Sequence, residues 1–319
     1  MELRKQHDPN IDKASSIPDE WFVPKKVDSS EAEAVVRPSL SYWKDAWLRL
    51  LKNKLAMMGL IFLVLLVLMA IFGPIFSPYE ADEGSLPKQN LPPSSEHWFG
   101  TDELGRDVFT RTWHGARISL FVGVVAALID FLIGVVYGGI AGYKGGRTDN
   151  YMMRFVEILY GLPYLLVVIL ISVVMEPGLF SIIFALSVTG WVGMARIVRG
   201  QVLQVKNYEF VLASKTFGTK TPRIIRKNLL PNTMGPIIVQ MTLTVPAAIF
   251  AEAFLSFLGL GIQPPLASWG SMASDALPVI LSGDWWRLFF PAFFISLTMF
   301  SFNVLGDGLQ DALDPKLRR

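Results

Sequence analysis

Five polar side chains interrupt otherwise apolar stretches: Asp130, Glu157, Glu252, Asn303 and Asp307. A carboxylate among apolar residues is costly, so it faces other protein groups or a water-filled cavity. Asp130 stands near the middle of its stretch and Glu252 near the outer end of another. Two chemistries suit these two positions. They line a polar path and meet amine or amide groups of a solute, or they hydrogen-bond to neighbouring helices. Glu157 and Asp307 lie near stretch ends, where snorkelling or pairing with Arg154 suffices.

A second concentration of charge runs from 78 to 117. It has seven acids (Glu80, Asp82, Glu83, Glu96, Asp102, Glu103, Asp107) and four bases. Asp102, Glu103 and Asp107 lack the alternating-acid register of a calcium loop, so no metal is expected. Gly100, Gly105 and Arg106 shape a turn. Asp102, Gly105, Arg106 and Asp107 are candidates for docking or lid work, with scaffold packing as the alternative. The chain has no cysteine, which excludes disulfides, Cys-ligated zinc and iron–sulfur clusters. His7, His97 and His114 form no ligand spacing, and none lies in an apolar stretch. No His-Glu-x-x-His, Ser–His pair or facing Asp pair is present, so no catalytic residue is expected. Gly218-Thr-Lys-Thr lacks the spacing of a phosphate-binding loop, so this chain is not expected to bind ATP.

These residues need elements to hold them, and composition says which. The 319 residues are 52% hydrophobic and 18% charged, with 22 Phe and a mean hydropathy of +0.42. Average soluble chains carry roughly 25% charged residues. Too few charges remain to cover a water-facing surface, so part of the surface faces lipid. Disorder, collagen and solenoid repeats are excluded, and nothing calls for nucleic acid. The reading is an all-α polytopic membrane protein with six transmembrane helices. The spans fall at about 55–76, 118–142, 151–175, 178–195, 233–262 and 288–305. Residues 1–40 read as a polar tail, with no signal peptide ahead of the first span. Residues 41–113 form an N-terminal region, and 114–319 a domain of five helices.

Of 29 Lys and Arg residues, 24 fall on one side of such a topology. The positive-inside rule then puts both termini in the cytoplasm. Along 41–54, Trp43, Ala46, Trp47, Leu50 and Leu51 recur at helical spacing, opposite Lys44, Asp45, Arg49 and Lys52. This predicts an amphipathic helix lying in the interface. Gly134, Gly138 and Gly142 form a small-residue stripe for close helix approach, within this chain or to a partner.

The largest cytoplasmic loop, 196–231, holds eight basic residues and one acid, Glu209. Asn207 is expected to cap a helix carrying Phe210, Val211, Leu212 and Ala213. Gly218 ends it in a left-handed corner. Thr221 then caps a second helix with Pro222 in its first turn, and Pro231 marks the bend into the fifth span. Two short helices at an angle make a knob that a partner can grip.

This segment resembles the EAA loop of membrane subunits of binding-protein-dependent ABC importers. The family pattern is Glu-Ala-Ala, three residues, Gly, nine residues, Ile, one residue, Leu-Pro. Ala213, Gly218, Leu230 and Pro231 match it. Leu212 replaces Glu, Ser214 replaces Ala and Asn228 replaces Ile. Residues 97–120, HWFGTDELGRDVFTRTWHGARISL, and 251–270, AEAFLSFLGLGIQPPLASWG, resemble the oligopeptide/dipeptide/nickel branch, C-type permease subunit. The resemblance covers residues 41–319. It implies a type I ABC importer transmembrane fold in a bacterial or archaeal cytoplasmic membrane, and import of oligopeptides by alternating access. The implied partners are a B-type permease, two ATP-binding subunits holding ATP and Mg, and an extracytoplasmic peptide-binding protein. The chain itself would bind no cofactor. Glu209, Leu212, Ala213, Ser214, Gly218, Leu230 and Pro231 would form the ATPase-coupling loop, and Glu252 and Asp130 the candidate pathway. Dipeptide and nickel import remain open. A secondary transporter working without ATP is the more distant alternative, and no internal repeat supports it.

Overall fold

The computed structural model describes residues 41–313, apart from the side chain at 280. The tail assigned to 1–40 and the last basic residues lie outside these. The described residues are helical in most of their length, with one isolated bridge between Thr101 and Asp107.

Helix α1 is Tyr42–Lys52. Ala46 and Leu50 are buried, while Trp43 and Trp47 are half exposed. Asn53 caps α2, Lys54–Phe72, by accepting the Ala56 N–H at 3.1 Å. α2 is apolar all round, as a lipid-facing helix must be. It buries a narrow side: Ala56, Gly59, Leu63, Leu66 and Ala70.

Helix α3, Val108–Lys144, has 37 residues and begins ten residues before the expected 118. At 1.5 Å per residue it is about 55 Å long, well beyond a bilayer core. Its early start has a local cause: Asp107 Oδ2 accepts the Thr110 N–H at 2.8 Å and satisfies an orphan donor of the first turn. The glycine stripe faces α6, Leu179–Val205, of this same chain. A Cβ on Gly134 would sit 2.6 Å from the Met194 side chain, and one on Gly138 would collide with the Ala195 carbonyl.

The continuous third span expected over 151–175 is not continuous. α4, Gly146–Gly161, and α5, Tyr164–Val174, meet at an 80° bend. Pro163 forces its predecessor out of the α region, and Leu162 sits at φ −77°, ψ 133°. Among the described residues, five helices are long and apolar enough to cross a membrane, and the bent pair makes six if it counts as one span. α6 runs ten residues past the expected end at 195, which shortens the loop that follows.

α7 is Glu209–Thr216. Tyr208, not Asn207, is its N-cap residue, and no side chain caps it. α8 runs Thr221–Phe257. Lys220 rather than Thr221 is its cap, with Thr221 in the first turn. The helix runs through Pro231 without a break. A π turn, Ile225–Leu229, precedes that proline, which lacks an N–H for the i−4 carbonyl. The widened turn lets the helix continue through it. α8 ends at Phe257, five residues before the expected 262. α9, Trp269–Ala276, and α10, Trp286–Leu313, complete the fold.

Candidate functional site

The knob is a short helix on a rigid stem. α6 carries it, and Val211 on its inner side is fully buried among Val202, Val205, Ile224, Leu229 and Ile237. This apolar seat ties α7 to both α6 and α8. Lys206 donates to the Gly142 carbonyl at 2.9 Å, and Lys215 lies 5.2 Å from the centre of the Tyr143 ring. Both contacts fasten the knob to the C-terminal end of α3.

The outer face consists of Tyr208, Glu209, Phe210, Leu212, Ala213, Thr216 and Phe217, all exposed. Phe217 is 86% exposed at the tip. Glu209 opens α7, where negative charge suits the helix dipole. Ser214 is half-buried. Its hydroxyl donates to the Phe210 carbonyl at 2.9 Å and accepts from Asn228 Nδ2 at 3.1 Å. Ser214 and Asn228 therefore bond to each other across the corner. Gly218 takes φ +69°, and Thr219 N–H returns to the Ser214 carbonyl at 3.1 Å. Leu230 is half-buried and Pro231 exposed, both within α8. Phe217 was not singled out from the sequence, although an aromatic just before a corner glycine was visible.

Glu252 is wholly buried. Its Oε1 accepts from Ser268 at 2.6 Å and Ser256 at 2.8 Å, and its Oε2 from Ser119 at 3.4 Å. The Ser119 hydroxyl also accepts the Trp269 N–H at 3.1 Å. One carboxylate thus joins α3, α8 and the cap of α9. It faces hydroxyls here rather than an open path. Asp130 is buried between α3 and α6, close against Gly190, and its Oδ1 has no hydrogen-bond partner. The two carboxylates are not brought together.

Asp102, Gly105, Arg106 and Asp107 are buried, as the scaffold-packing alternative expects. Asp102 accepts from the Leu104 and Arg106 amides at 2.9 Å and from Arg106 Nε at 2.7 Å. Gly105 stands at φ +71° with the Ser85 carbonyl where a Cβ would be. Asp107 caps α3 and lies 3.0 Å from His97 Nδ1. Arg287 of α10 reaches Glu103 at 2.9 Å and Asn90 at 3.1 Å. Nearby, Lys88 donates to Glu96 and holds that carboxyl below the usual carboxylate range. A cleft of about 560 Å³ opens beside this scaffold, with Tyr79, Glu80, Asp82, His114 and Leu266 in its walls. No cluster of metal-ligating side chains occurs among the described residues.

Long apolar helices, a bent pair and an exposed knob on a buried seat define a polytopic membrane protein built as a transport permease. The family described as "Binding-protein-dependent transport system inner membrane component" matches residues 134–319, more than half of the chain, and this chain belongs to it. Residues 41–93 match the N-terminal TM domain of oligopeptide transport permease C. The chain is 77% identical over 305 residues to the dipeptide transport system permease protein DppC of Bacillus subtilis, covering 96% of this chain and 95% of that one. It is 60% identical over 304 residues to the oligopeptide transport system permease protein OppC of the same organism, covering 95% and 99%. The OppC protein of Escherichia coli is 44% identical, covering 87% and 92%. Among solved structures, the inward-facing MetNI methionine ABC transporter aligns with a TM-score of 0.53 at 18% identity, covering 64% of this chain and 96% of that one. The type I ABC importer transmembrane fold is the fold observed.

Proposed function

We propose that this chain is one of two membrane subunits of an ATP-driven importer of peptides in a bacterial cytoplasmic membrane. Its termini face the cytoplasm, and alternating access occurs at the interface with a B-type permease. Two ATPase subunits supply the energy, and an extracytoplasmic peptide-binding protein delivers the solute. The relatives' names support the peptide class. Identity of 77% to a protein named for dipeptides favours short peptides over the longer ones that the resemblance implied.

One observation carries the coupling reading: the exposed outer face of α7 stands on a seat shared with α6 and α8. An ATPase that grips this face moves both helices as a rigid body. Glu209, Leu212, Ala213 and Phe217 make the contact. Gly218 shapes the corner, while Ser214, Leu230 and Pro231 hold it. Glu252 acts as a positioning group for α9 rather than as a solute contact. Asp130 is the carboxylate left to meet solute when α3 and α6 rearrange.

Gly218→Val tests the corner. Nothing lies within 4 Å of an added Cβ, so the effect is on backbone conformation alone. A β-branched residue at this φ costs roughly 1–2 kcal/mol. The expected result is weaker co-purification of the ATPases and reduced substrate-stimulated hydrolysis. Unchanged hydrolysis and uptake would remove the corner from the coupling route.

A further inference from the structure

α4 is fastened to the knob-bearing helix in a way the coupling loop does not account for. Gly145 separates α3 from α4 and Gly146 opens α4, both at positive φ, +64° and +54°. Most L residues avoid such angles. At its other end, the extended Leu162 and the 80° bend separate α4 from α5. α4 therefore has a joint at each end.

Two arginines one turn apart on α6 hold it. Arg199 Nε and Nη2 each donate to one oxygen of Asp149 at 2.6 Å. This is the bidentate fork that Arg forms and Lys cannot. Asp149 lies in the first turn of α4 and its side chain is 9% exposed. Arg196 lies over the Tyr160 ring near the far end of α4, 4.6 Å from its centre. Arg199 is six residues before the end of α6, and the knob follows directly. The apolar side of α4 has its own contacts. Met153 and Val156 meet Ala141 of α3 and Trp191, Val192 and Ala195 of α6. Loss of the fork thus leaves α4 seated but free to slide.

We propose that the Arg199–Asp149 pair is a positioning clamp that makes α4, and through the bend α5, follow the movement of the knob. This rests on the reading of the knob as the ATPase contact. The pair would turn a push on α7 into a swing of the bent segment, with the two glycines as hinge.

The test uses the full complex in proteoliposomes, with both permeases, the ATPases and the binding protein. Peptide uptake and ATP hydrolysis are measured together for Asp149→Asn. ATPases should co-purify normally and stimulated hydrolysis should stay within about twofold of wild type. Peptide moved per ATP should fall about tenfold, the scale of a coupling free energy between sites. The exchange Asp149→Arg with Arg199→Asp should regain most of it. Three results overturn the clamp: unchanged peptide per ATP, a parallel fall of hydrolysis and uptake, or no recovery in the exchange. Phe217→Asp separates the two readings. If its hydrolysis and uptake are normal, the docking reading fails. If it is impaired while Asp149→Asn is normal, the clamp alone fails.

Discussion

At the scale of single residues, burial decides what a charge can do. Glu252 accepts three hydroxyl hydrogen bonds and has no cation as a partner among the described residues. Replacing it with Leu leaves the buried Ser256 and Ser268 O–H groups without the acceptor they donate to. Each stranded group costs about 1–3 kcal/mol, so a marked fall in melting temperature of the purified complex is expected. Glu252→Gln keeps an acceptor and should cost about 1 kcal/mol, with peptide KM unchanged. A raised KM at unaltered melting temperature would return Glu252 to the solute path. The sequence identified Asp130 and Glu252 as unusual because carboxylates are rare in spans. It did not reveal the partners of Glu252, since Ser119 and Ser268 lie 133 and 16 residues away. The same limit applied to Asp102 and Arg106. Acids and bases in a loop look like surface until the fold buries them together.

At the scale of elements, punctuation was legible where its cause is local. Gly218 ends α7 because a glycine tolerates the left-handed corner. Asp107 followed by Thr110 was a readable cap, yet hydropathy alone set the start of α3 too late. Leu162-Pro163 carried a break signal, but the apolar run across it hid the 80° bend. The π turn before Pro231 had no local signature that distinguishes it from a kink. Helix contacts follow from the glycine stripe. Gly138→Val would collide with the Ala195 carbonyl, and no flexible side chain is there to yield. A loss of about 3 kcal/mol or more is expected, seen as little membrane-inserted protein. Gly139→Ala has open space at the same depth and should express normally. Equal yields of the two would deny that α3 and α6 meet along the stripe.

At the scale of the whole molecule, the cleft and the knob lie at opposite ends of α3. The acidic cleft and buried scaffold sit at the N-terminal end of α3, and the knob is fastened to its C-terminal end. Under the proposed function, helices as long as α3 and α8 would carry movement between the two without a separate relay. The membrane class was readable from composition, because lipid leaves a bulk signature. The exposed face of the knob was legible only in part: Leu212 was assigned to the coupling loop, whereas Tyr208, Phe210 and Phe217 look like any other apolar residues until the fold turns them outward.

The chain's lack of cysteine permits the most direct test of the coupling knob. A single cysteine placed at Phe217 in the assembled importer should cross-link through a short spacer to an ATPase subunit, in a yield that changes with nucleotide. An assembled, active complex whose Phe217 cysteine never links to an ATPase subunit would contradict the account.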